Sequence, residues 1–505
     1  MKVLIYHSSS FTNPHFGLLM DETEKYLREG HEVYFVTCHG AASMCIVNNL
    51  AHKSKCRVCK MGINKYLNKL SKGINKIDLS KYVEQNHATI KYDYHSIDDL
   101  KHIEYKNTKI GYAVMSFYIT LTRNLNPAID DKFTHYIDRA LESATLLTDA
   151  YTKVLEEVNP DRVILFNGRL FESRPMLDYS VEKGYETYCY EVTGGYEEDF
   201  YKIIFKNVMP HNVDYNLQMV RDRWNDTAIP QEEKLAISKS FYENRRGGKP
   251  AGDKIYIKNQ KAGELPTDWN PSKRNFAIFN SSEDEFASIG DEFDRLKFFP
   301  NQLEGIKKVL SLCMQDENIH VYLRVHPNLI GIPYHYHQDL YKLPEEFSNV
   351  TVIPADAKVS SYTLMDKVEK VVVFGSTMGL EATYWEKPVI LLGAAFYTPL
   401  DMCYKPKSED DLKNLLFSIL EPKGKQEAIE FGYSTMYRDQ QAKYDYIDFN
   451  QTEWTFRGIT YELPNYQTLF GSKKLYALYI AFLKRLFGLF DSNYFENVPE
   501  KENLE

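Results

Sequence analysis

Short apolar runs alternate with longer amphipathic stretches in both halves of the chain. The runs are rich in Val, Ile, Leu and aromatic residues, which is typical of strands buried on both faces of a parallel sheet. Predicted strands cover residues 3–6, 31–37, 162–166, 184–191, 275–280, 320–325, 350–353, 371–374 and 389–392, and predicted helices cover 17–29, 131–158, 301–316, 360–367, 380–385, 408–420 and 426–443. Strands that alternate with helices predict doubly wound α/β domains with parallel sheets.

Two such domains account for most of the chain, because 505 residues exceed what one hydrophobic core usually holds. We predict a first domain over residues 1–205, a helical segment and linker over 206–270, a second domain over 271–435, and a return crossover with a terminal helix over 436–505. Within the first domain, residues 60–130 break the alternation. This region predicts a helical insertion, with a Lys-rich helix at 63–77 and a strand at 90–94.

Composition narrows the classes of function. The formal net charge is −9 at pH 7, which argues against a general nucleic-acid binder. The chain begins Met-Lys and then enters the first predicted strand, so no signal peptide is expected. No stretch offers about 18 uncharged apolar residues, the length that a membrane-spanning helix needs. We therefore expect a cytoplasmic protein whose cysteines stay reduced.

Candidate chemistry is densest in residues 371–397, VVVFGSTMGLEATYWEKPVILLGAAFY. A buried strand leads into a turn of small residues and then into a short helix. Free N–H groups at a helix start, together with the hydroxyls of Ser376 and Thr377, predict an anion site. Glu381 lies in the first helical turn and could accept hydrogen bonds from ribose hydroxyls. The alternative is an ordinary α/β turn in which Glu381 only stabilises the helix.

Three blocks in this part of the chain resemble a known family. The first is Ser376-Thr377-x-Gly379-x-Glu381-Ala382 with the following Trp-x-Lys-Pro-Val, the second is Leu-Arg324-Val-His326-Pro, and the third is Phe-Asn-Ser281-Ser282-Glu-Asp-Glu-Phe. In this order they resemble the C-terminal signature of GT-B glycosyltransferases. They are most similar to the capsule polysaccharide biosynthesis proteins, which are similar to Kdo transferases and polyol-phosphate transferases.

The resemblance implies two Rossmann-like domains that face a cleft, with a nucleotide-sugar donor bound by the second domain. It implies that Ser281, Ser282, Ser376 and Thr377 bind the diphosphate, that Arg324 and His326 neutralise it, that Gly379 belongs to the binding turn, and that Glu381 holds the ribose. His326 would thereby support the leaving nucleoside phosphate. No D-x-D motif is well placed for a divalent ion, and GT-B enzymes usually do not need one.

The first domain offers candidates for the acceptor side. Asn167-Gly168-Arg169 follows a predicted strand, and Arg169 could bind a phosphate or carboxylate or could only cap a helix. Glu191 ends another strand and is the candidate general base that deprotonates an acceptor hydroxyl. Glu172 and Asp178 are rival bases. His7 and His15 lie near the expected cleft but could be loop residues.

Cys38, Cys45, Cys56 and Cys59 fall within 22 positions and end in a C-x-x-C. In a reducing compartment such a cluster predicts metal ligands rather than disulfides, and thiolates favour zinc or an iron–sulfur cluster. Their spacing matches no common zinc finger, so four unrelated thiols remain the alternative. The resemblance favours a structural site, because some relatives of the capsule family carry a similar insertion.

Residues 473–490, KKLYALYIAFLKRLFGLF, are apolar with basic residues among them. This pattern is typical of an amphipathic helix on an anionic inner leaflet. A terminal packing helix or a dimer contact would have the same pattern.

The sequence therefore predicts a glycosyltransferase that moves a sugar from a nucleotide-activated donor to a glycan or lipid-linked acceptor in surface polysaccharide biosynthesis. One alternative is a CDP-polyol phosphotransferase. Another, from a different class, is a non-catalytic scaffold docked at the membrane. The donor sugar, the linkage and the stereochemical outcome do not follow from the fold.

Overall fold

In the computed structural model the chain forms two compact units. The first comprises Met1–His211 and Gln440–Glu505, and the second comprises Asn212–Asp439. The structure describes residues 1–9, 15–51, 53–83, 90–193, 201–249, 251–252, 255–257, 259–437, 444–449, 453–456 and 459–462.

The first unit contains a six-stranded sheet with the order β3-β2-β1-β4-β5-β6. Its strands are β1 Lys2–His7, β2 Glu32–Thr37, β3 Ile74–Asp78, β4 Arg162–Phe166, β5 Glu186–Thr193 and β6 Tyr201–Lys206. The first five run parallel, and β6 pairs antiparallel with β5. The 3-2-1-4-5 order is that of a Rossmann sheet, in which ligands bind at the carboxyl ends where the order reverses. Here that point lies between β1 and β4.

The helices of this unit are α1 His15–Arg28, α2 Lys53–Leu67, α3 Ile97–Lys101, α4 Ile110–Thr122, α5 Asp131–Val158 and α6 Arg174–Glu182. The two ends of the long helix α5 are determined by the residues that cap it. The Asp130 carboxylate accepts the N–H of Phe133 at 2.8 Å at its start. Its end is Asn159 in the left-handed conformation, which Asn tolerates better than most residues.

The region predicted as a helical insertion, residues 60–130, is only partly helical. Residues 74–78 form β3 and extend the parallel sheet beside β2, whereas we predicted them as the end of a helix. The strand predicted at 90–94 is absent from the described residues 90–94. The prediction missed this strand for a physical reason. Ile74–Asp78 is an edge strand whose residues are partly buried or exposed, and its Lys and Asn content hides the β pattern.

The second unit contains a five-stranded parallel sheet with the order β11-β10-β7-β8-β9. Its strands are β7 Arg274–Phe279, β8 Ile319–Arg324, β9 Val350–Ile353, β10 Lys370–Val373 and β11 Val389–Leu391. Counted within the unit, this is again the 3-2-1-4-5 order, and the reversal lies between β7 and β10. The prediction of an α/β fold with two Rossmann-like sheets is therefore confirmed.

The helices of the second unit are α7 Val213–Asn225, α8 Gln231–Arg246, α9 Asp291–Arg295, α10 Gln302–Cys313, α11 His335–Gln338, α12 Leu343–Glu346, α13 Ser361–Lys367, α14 Met378–Tyr384, α15 Glu409–Phe417 and α16 Gln426–Met436. Helices α7 and α8, in the region predicted as a segment and linker, pack on α16. The hydroxyl of Ser238 donates to the carbonyl of Ile429 at 2.7 Å within that contact.

After α16 the chain returns to the first unit. Ile447 and Phe456 are buried in the core of that unit. They lie in the small antiparallel sheet of β12 Ile447–Phe449, β13 Glu453–Phe456 and β14 Ile459–Glu462. The amphipathic helix predicted at 473–490 lies outside the described residues.

Candidate functional site

A pocket opens in the second unit at the carboxyl ends of β7, β8 and β10. It encloses about 60 Å³. Its lining comprises Arg245, Ile255, Tyr256, Ile257, Gln260, Phe279, Asn280, Arg324, His326, Pro327, Ser361, Tyr362, Ser376, Thr377, Met378 and Glu381. Because it lies at the point where the strand order reverses, it occupies the place where Rossmann-like sheets bind their ligands. We call it the carboxyl-edge pocket.

Glu381 is the buried acid of this pocket, with 1% of its surface exposed. Arg245 Nε lies 3.1 Å from its Oε1, and the Tyr362 hydroxyl donates to its Oε2. Burial and the Glu381 charge hold the pKa of Tyr362 well above its usual range, so this hydroxyl stays a donor. Both oxygens of Glu381 thus already have partners, and a ribose hydroxyl would have to share them.

His326 is held by its own loop. Its backbone N–H donates to Asn280 Oδ1 at 2.8 Å, and its ring Nδ1 accepts the N–H of Asn328 at 3.2 Å. A neutral imidazole that accepts at Nδ1 carries its proton on Nε2. His326 can therefore offer an Nε2–H donor. Tyr256 lies edge-on against the ring at 4.9 Å between centroids.

Arg324 provides a buried cation at the end of β8, with 3% of its surface exposed. Its guanidinium donates to the carbonyls of Pro354 and of Ala357, the latter at 3.2 Å. Burial lowers its pKa to about 10, so it keeps its charge at neutral pH. Its Nε is buried and has no hydrogen-bond partner among the described residues. The charge is thus fixed in place before any ligand arrives.

The two serines after β7 do not lie with the other predicted phosphate contacts. Ser281 donates to the Phe374 carbonyl at 2.8 Å and lines a separate small cavity with Gln302. Ser282 donates to Asp284 at 2.6 Å. Neither lines the carboxyl-edge pocket, where Asn280 takes their place. The Ser281 hydroxyl is bound by the backbone directly after β10, and the Ser282 hydroxyl is bound within its own loop.

Ser376 and Thr377 do line the pocket. Gly379 has a different part. A Cβ on Gly379 would lie 2.4 Å from the Tyr397 hydroxyl, so this glycine lets α14 pack against Tyr397. That hydroxyl in turn donates to the carbonyl of Ser376. Gly379 therefore shapes the turn through packing, and it does not line the pocket.

In the first unit, Glu191 and Asn167 meet at the carboxyl ends of β5 and β4. Asn167 Nδ2 donates to Glu191 Oε2 at 2.5 Å, and the N–H of Val192 donates to Oε1 at 2.9 Å. Burial raises the pKa of Glu191 to about 7, against these two hydrogen bonds, which lower it. A carboxylate that titrates near neutral pH is suited to general base chemistry.

The rival acids have other partners. Asp178 accepts Arg174 Nε at 2.7 and 2.8 Å, as an ion pair within α6. Glu172, 3% exposed, accepts the N–H of Ile46, and burial raises its pKa to about 7. Arg169 Nε donates to Ser116 Oγ of α4 at 2.8 Å. Of the three acids proposed as bases, Glu191 is the one on a strand, near the end of β5 and beside β4.

The two candidate histidines are neutral at physiological pH. Burial lowers the pKa of His7 to about 3 and that of His15 to about 4. His15 stacks on Phe166 with 3.8 Å between ring centroids. Phe166 ends β4 directly before Asn167, so the histidines border the same region as Glu191.

The four clustered cysteines come together. Cys38, Cys45, Cys56 and Cys59 line one cavity of about 20 Å³ beside His39, which we call the thiol pocket. Yet within the described part of the chain, no three His, Cys, Asp or Glu side chains are arranged to hold a metal ion. The structure thus supports the grouping of the thiols but gives the predicted zinc or iron–sulfur centre no preformed cage. A physical reason is that burial raises the pKa of Cys38 to about 11, which favours neutral thiols.

Sequence reasoning missed Arg245, Tyr362 and Gln260 of the carboxyl-edge pocket. Arg245 lies in the last turn of α8, in the region 206–270 that we assigned to a helical segment and linker. A basic residue in the last turn of a helix is an ordinary feature, so Arg245 gave no signal of a site.

Among the described residues, no helix is both long and apolar enough to cross a bilayer.

Comparison with known proteins places residues 206–409 in a family model described as capsule polysaccharide biosynthesis protein. This is about two fifths of the chain and includes the carboxyl-edge pocket, so the predicted resemblance is confirmed there. No curated protein matches the sequence.

Among solved structures, the β-Kdo 2,4-transferase of Thermosulfurimonas dismutans KpsC is 13% identical, covers 60% of this chain and 84% of its own, and has a TM-score of 0.35. The β-Kdo 2,7-transferase of the same protein is 14% identical, with 57% and 79% covered and a TM-score of 0.31. The calicheamicin glycosyltransferase CalG4 is 11% identical, with 87% and 95% covered and a TM-score of 0.27. Likenesses this low carry no argument about activity.

Proposed function

Because residues 206–409 match the model of the capsule polysaccharide biosynthesis proteins, we propose that this chain is a glycosyltransferase of surface polysaccharide assembly. It moves a sugar from a nucleotide-activated donor to a glycan or lipid-linked acceptor. The observation that carries the proposal is that the family match contains a pocket with Arg324, His326, Ser376, Thr377 and Glu381 at the strand-order reversal.

The carboxyl-edge pocket binds the nucleotide end of the donor in this proposal. The buried guanidinium of Arg324 and the Nε2–H of His326 face the charge that grows on the leaving nucleoside phosphate as its bond to the anomeric carbon breaks. Fixed donors of this kind stabilise a developing charge without the reorganisation that water would need. Ser376 and Thr377 add hydroxyl donors to the phosphates.

Glu191 is the proposed general base. It takes the proton of the acceptor hydroxyl as that oxygen attacks the anomeric carbon, and Arg169 contributes positive charge nearby on the acceptor side. Its raised pKa of about 7 gives it both a deprotonated fraction and basicity at neutral pH. The thiol pocket has no step in this reaction, and we assign it a structural part.

We also propose a cytoplasmic location with peripheral contact to the inner leaflet of the membrane. The support is the basic and apolar pattern of residues 473–490. A lipid-linked acceptor would place the substrate at the same surface.

A thermal-shift screen against UDP-, GDP-, CDP-, CMP- and dTDP-linked sugars tests donor binding. A ligand at about 100 times its dissociation constant stabilises by roughly 2.7 kcal/mol, which is measurable. We expect one nucleotide class to stabilise the wild type and to stabilise His326→Ala much less. His335→Ala is the matched control, because its side chain is 94% exposed and lies outside the pocket.

Absence of a shift with every donor would contradict the proposal and favour a non-catalytic scaffold. A CDP-polyol that is consumed, while nucleotide sugars are not, would favour the polyol phosphotransferase.

A further inference from the structure

A second cleft lies in the second unit, at the edge of the sheet opposite the carboxyl-edge pocket. It encloses about 460 Å³, and its lining includes Arg274, Asn275 and Glu369. Arg274 begins β7 and Glu369 directly precedes β10, so the cleft lies at the amino ends of these strands. The six residues of β7 place it roughly 17 Å from the carboxyl-edge pocket. We call it the amino-edge cleft, and the proposed reaction does not use it.

We propose that the amino-edge cleft binds a sugar unit of a glycan chain, as a site separate from the reaction centre. A sugar is recognised by an aromatic ring, on which the C–H face of a pyranose stacks, and by a few fixed groups that hydrogen-bond its hydroxyls. The cleft provides both kinds of group. The proposed function would bring glycan chains to the protein, but the chemistry of the lining is what selects a sugar.

Trp269 is the aromatic ring of the cleft. It is half-buried and packs on Tyr322, with 5.0 Å between ring centroids and 30° between ring planes. The backbone N–H of Trp269 donates to the carbonyl of Pro266 at 3.0 Å. The Tyr322 hydroxyl donates to the carbonyl of Asp268, the residue before Trp269, at 3.3 Å. The indole is therefore held in place before a ligand binds, so stacking on it costs little side-chain entropy.

Asn275 gives the cleft a hydrogen-bond acceptor that the fold leaves unused. The residue is 4% exposed and belongs to the lining. Its Nδ2 donates to the carbonyl of Asn270 at 2.8 Å, which fixes the orientation of the amide. Its Oδ1 then has no hydrogen-bond partner among the described residues. A buried acceptor without a donor costs free energy, which a sugar hydroxyl would recover by donating to it.

Arg274 and Glu369 supply a donor and an acceptor side by side. The guanidinium binds the carboxylate through two hydrogen bonds, Nε to Oε2 at 2.9 Å and Nη2 to Oε1 at 2.8 Å. The hydrogen bonds from Arg274 lower the pKa of Glu369, so this carboxylate stays ionised. The two side chains are 30% and 33% exposed, which leaves room for further hydrogen bonds. Such a pair matches two neighbouring hydroxyls of a sugar ring, one that accepts from Arg274 and one that donates to Glu369.

A phosphate is the other ligand that the charges of the cleft could attract. Lys273 and the exposed Lys367 also line it, and Lys273 Nζ donates to the carbonyl of Glu317 at 2.5 Å. A phosphate carries acceptor oxygens, so it would leave the Asn275 acceptor unpaired and would not stack on Trp269. A sugar, which has both hydroxyl donors and an apolar face, uses all of these groups.

Affinity electrophoresis of the full chain, with a polysaccharide cast into a native gel, tests the cleft. The panel is dextran, mixed-linkage β-glucan, hyaluronan and alginate, with no nucleotide present. We expect at least one of them to retard the wild type, and Trp269→Ala to bind it at least about tenfold more weakly. Trp224→Ala is the matched control, because Trp224 is a half-buried tryptophan of the same unit outside the cleft. It should be retarded like the wild type.

Footprinting of the wild-type protein covers variants that fail to fold. Hydroxyl-radical labelling, read by mass spectrometry, should show that the bound polysaccharide protects Trp269 and leaves the labelling of Trp224 unchanged. Retardation by none of the panel, no protection of Trp269 by a polysaccharide that retards the protein, or equal binding by wild type and folded Trp269→Ala would each overturn the inference. The nucleotide thermal shift of Trp269→Ala should equal that of the wild type, so failure of the glycan site and failure of the donor site are separate results.

Discussion

Two glutamates, the buried Glu381 and the half-buried Glu191, show that residue type alone does not determine the chemistry of a side chain. Glu381 is paired with Arg245 and Tyr362, so its charge is compensated inside the fold. Within the described residues, the donors to Glu191 are the amides of Asn167 and Val192, and burial raises its pKa to about 7. The first arrangement holds a pocket in shape, whereas the second leaves an acid that can exchange a proton near neutral pH.

Glu191→Gln should lower kcat roughly 100- to 10,000-fold, the range for loss of a general base. Donor binding should be unchanged by thermal shift. In wild type, kcat/KM should rise with pH through about 7, because the base works only when deprotonated. Glu186→Gln on the same strand, a partly exposed partner of Lys206 and Arg162, is the control. An unchanged kcat in Glu191→Gln would assign the base elsewhere.

Asn167 should act as a positioning residue for Glu191. Its backbone is left-handed, with φ +61°, and this directs the amide to the carboxylate. Asn167→Ala removes a donor that favours the charged form, so the pH limb of kcat/KM should move to higher pH while the donor KM stays the same. Asn207→Ala, another left-handed Asn after a strand, should leave the limb in place. A uniform loss of activity at every pH would indicate a structural part only.

At the scale of elements, the turn between β10 and α14 shows how packing fixes the conformation of a binding turn. The turn follows β10, with Gly375 at φ +89° and close to the carbonyl of Ala394. Gly379 then allows the helix to approach Tyr397, whose hydroxyl binds the Ser376 carbonyl. The glycines of the signature thus set the backbone, and the hydroxyl residues between them reach the pocket.

Gly379→Ala should destabilise the second unit by about 1–3 kcal/mol, the usual cost of overpacking. It should also weaken donor binding, because Tyr397 would shift and release the Ser376 carbonyl. Denaturant unfolding and the nucleotide thermal shift measure the two effects. Gly424→Ala, where no atom lies within 4 Å of the added Cβ, is the control. If Gly379→Ala were as stable as Gly424→Ala, Tyr397 would be able to move away from the added Cβ without a loss of unfolding free energy.

At the scale of the whole molecule, the chain leaves the first unit and later returns to it. The returning chain contacts the first unit around Lys202, which is 1% exposed. The Lys202 Nζ lies 2.8 Å from Asp21 and 2.7 Å from Glu22. Asp21 also accepts the backbone N–H groups of Asp445 and Tyr446 at 3.1 and 2.7 Å. These two carboxylates raise the pKa of Lys202, which outweighs the opposing effect of burial.

Lys202→Met should destabilise the first unit by about 3–5 kcal/mol, because two buried carboxylates lose their cation. The return segment should become more open to limited proteolysis near residues 444–447. Lys206→Met is the control on the same strand, since that lysine is 52% exposed. Wild-type stability from this contact should fall at high pH, as Lys202 loses its proton. If Lys202→Met left the proteolysis of residues 444–447 unchanged, that result would contradict the role of Lys202 as their anchor.

Most of the fold could be predicted because its strands are continuous apolar runs between Gly, Asn and Pro. The strands that were not predicted are β3, β6 and the small sheet β12–β14. Of these, β3 is a polar edge strand that pairs on one side, so its position depends on β2 rather than on its own residues. For the site, the family resemblance implied Arg324, His326, Ser376, Thr377 and Glu381, and all five line the carboxyl-edge pocket. It also implied Ser281 and Ser282, which lie outside that pocket because their hydroxyls donate to the Phe374 carbonyl and to Asp284.

The sequence by itself determined the parallel α/β units, the grouping of polar residues at strand ends and the candidate cysteine cluster, because these depend on local pattern. The tertiary structure decided which side chains meet. It joined Arg245 to Glu381, Asn167 to Glu191 and Lys202 to Asp21, pairs that are 136, 24 and 181 positions apart. Burial then raised the pKa of Glu191 and of Asp21, and burial is a property of the packed core rather than of the chain.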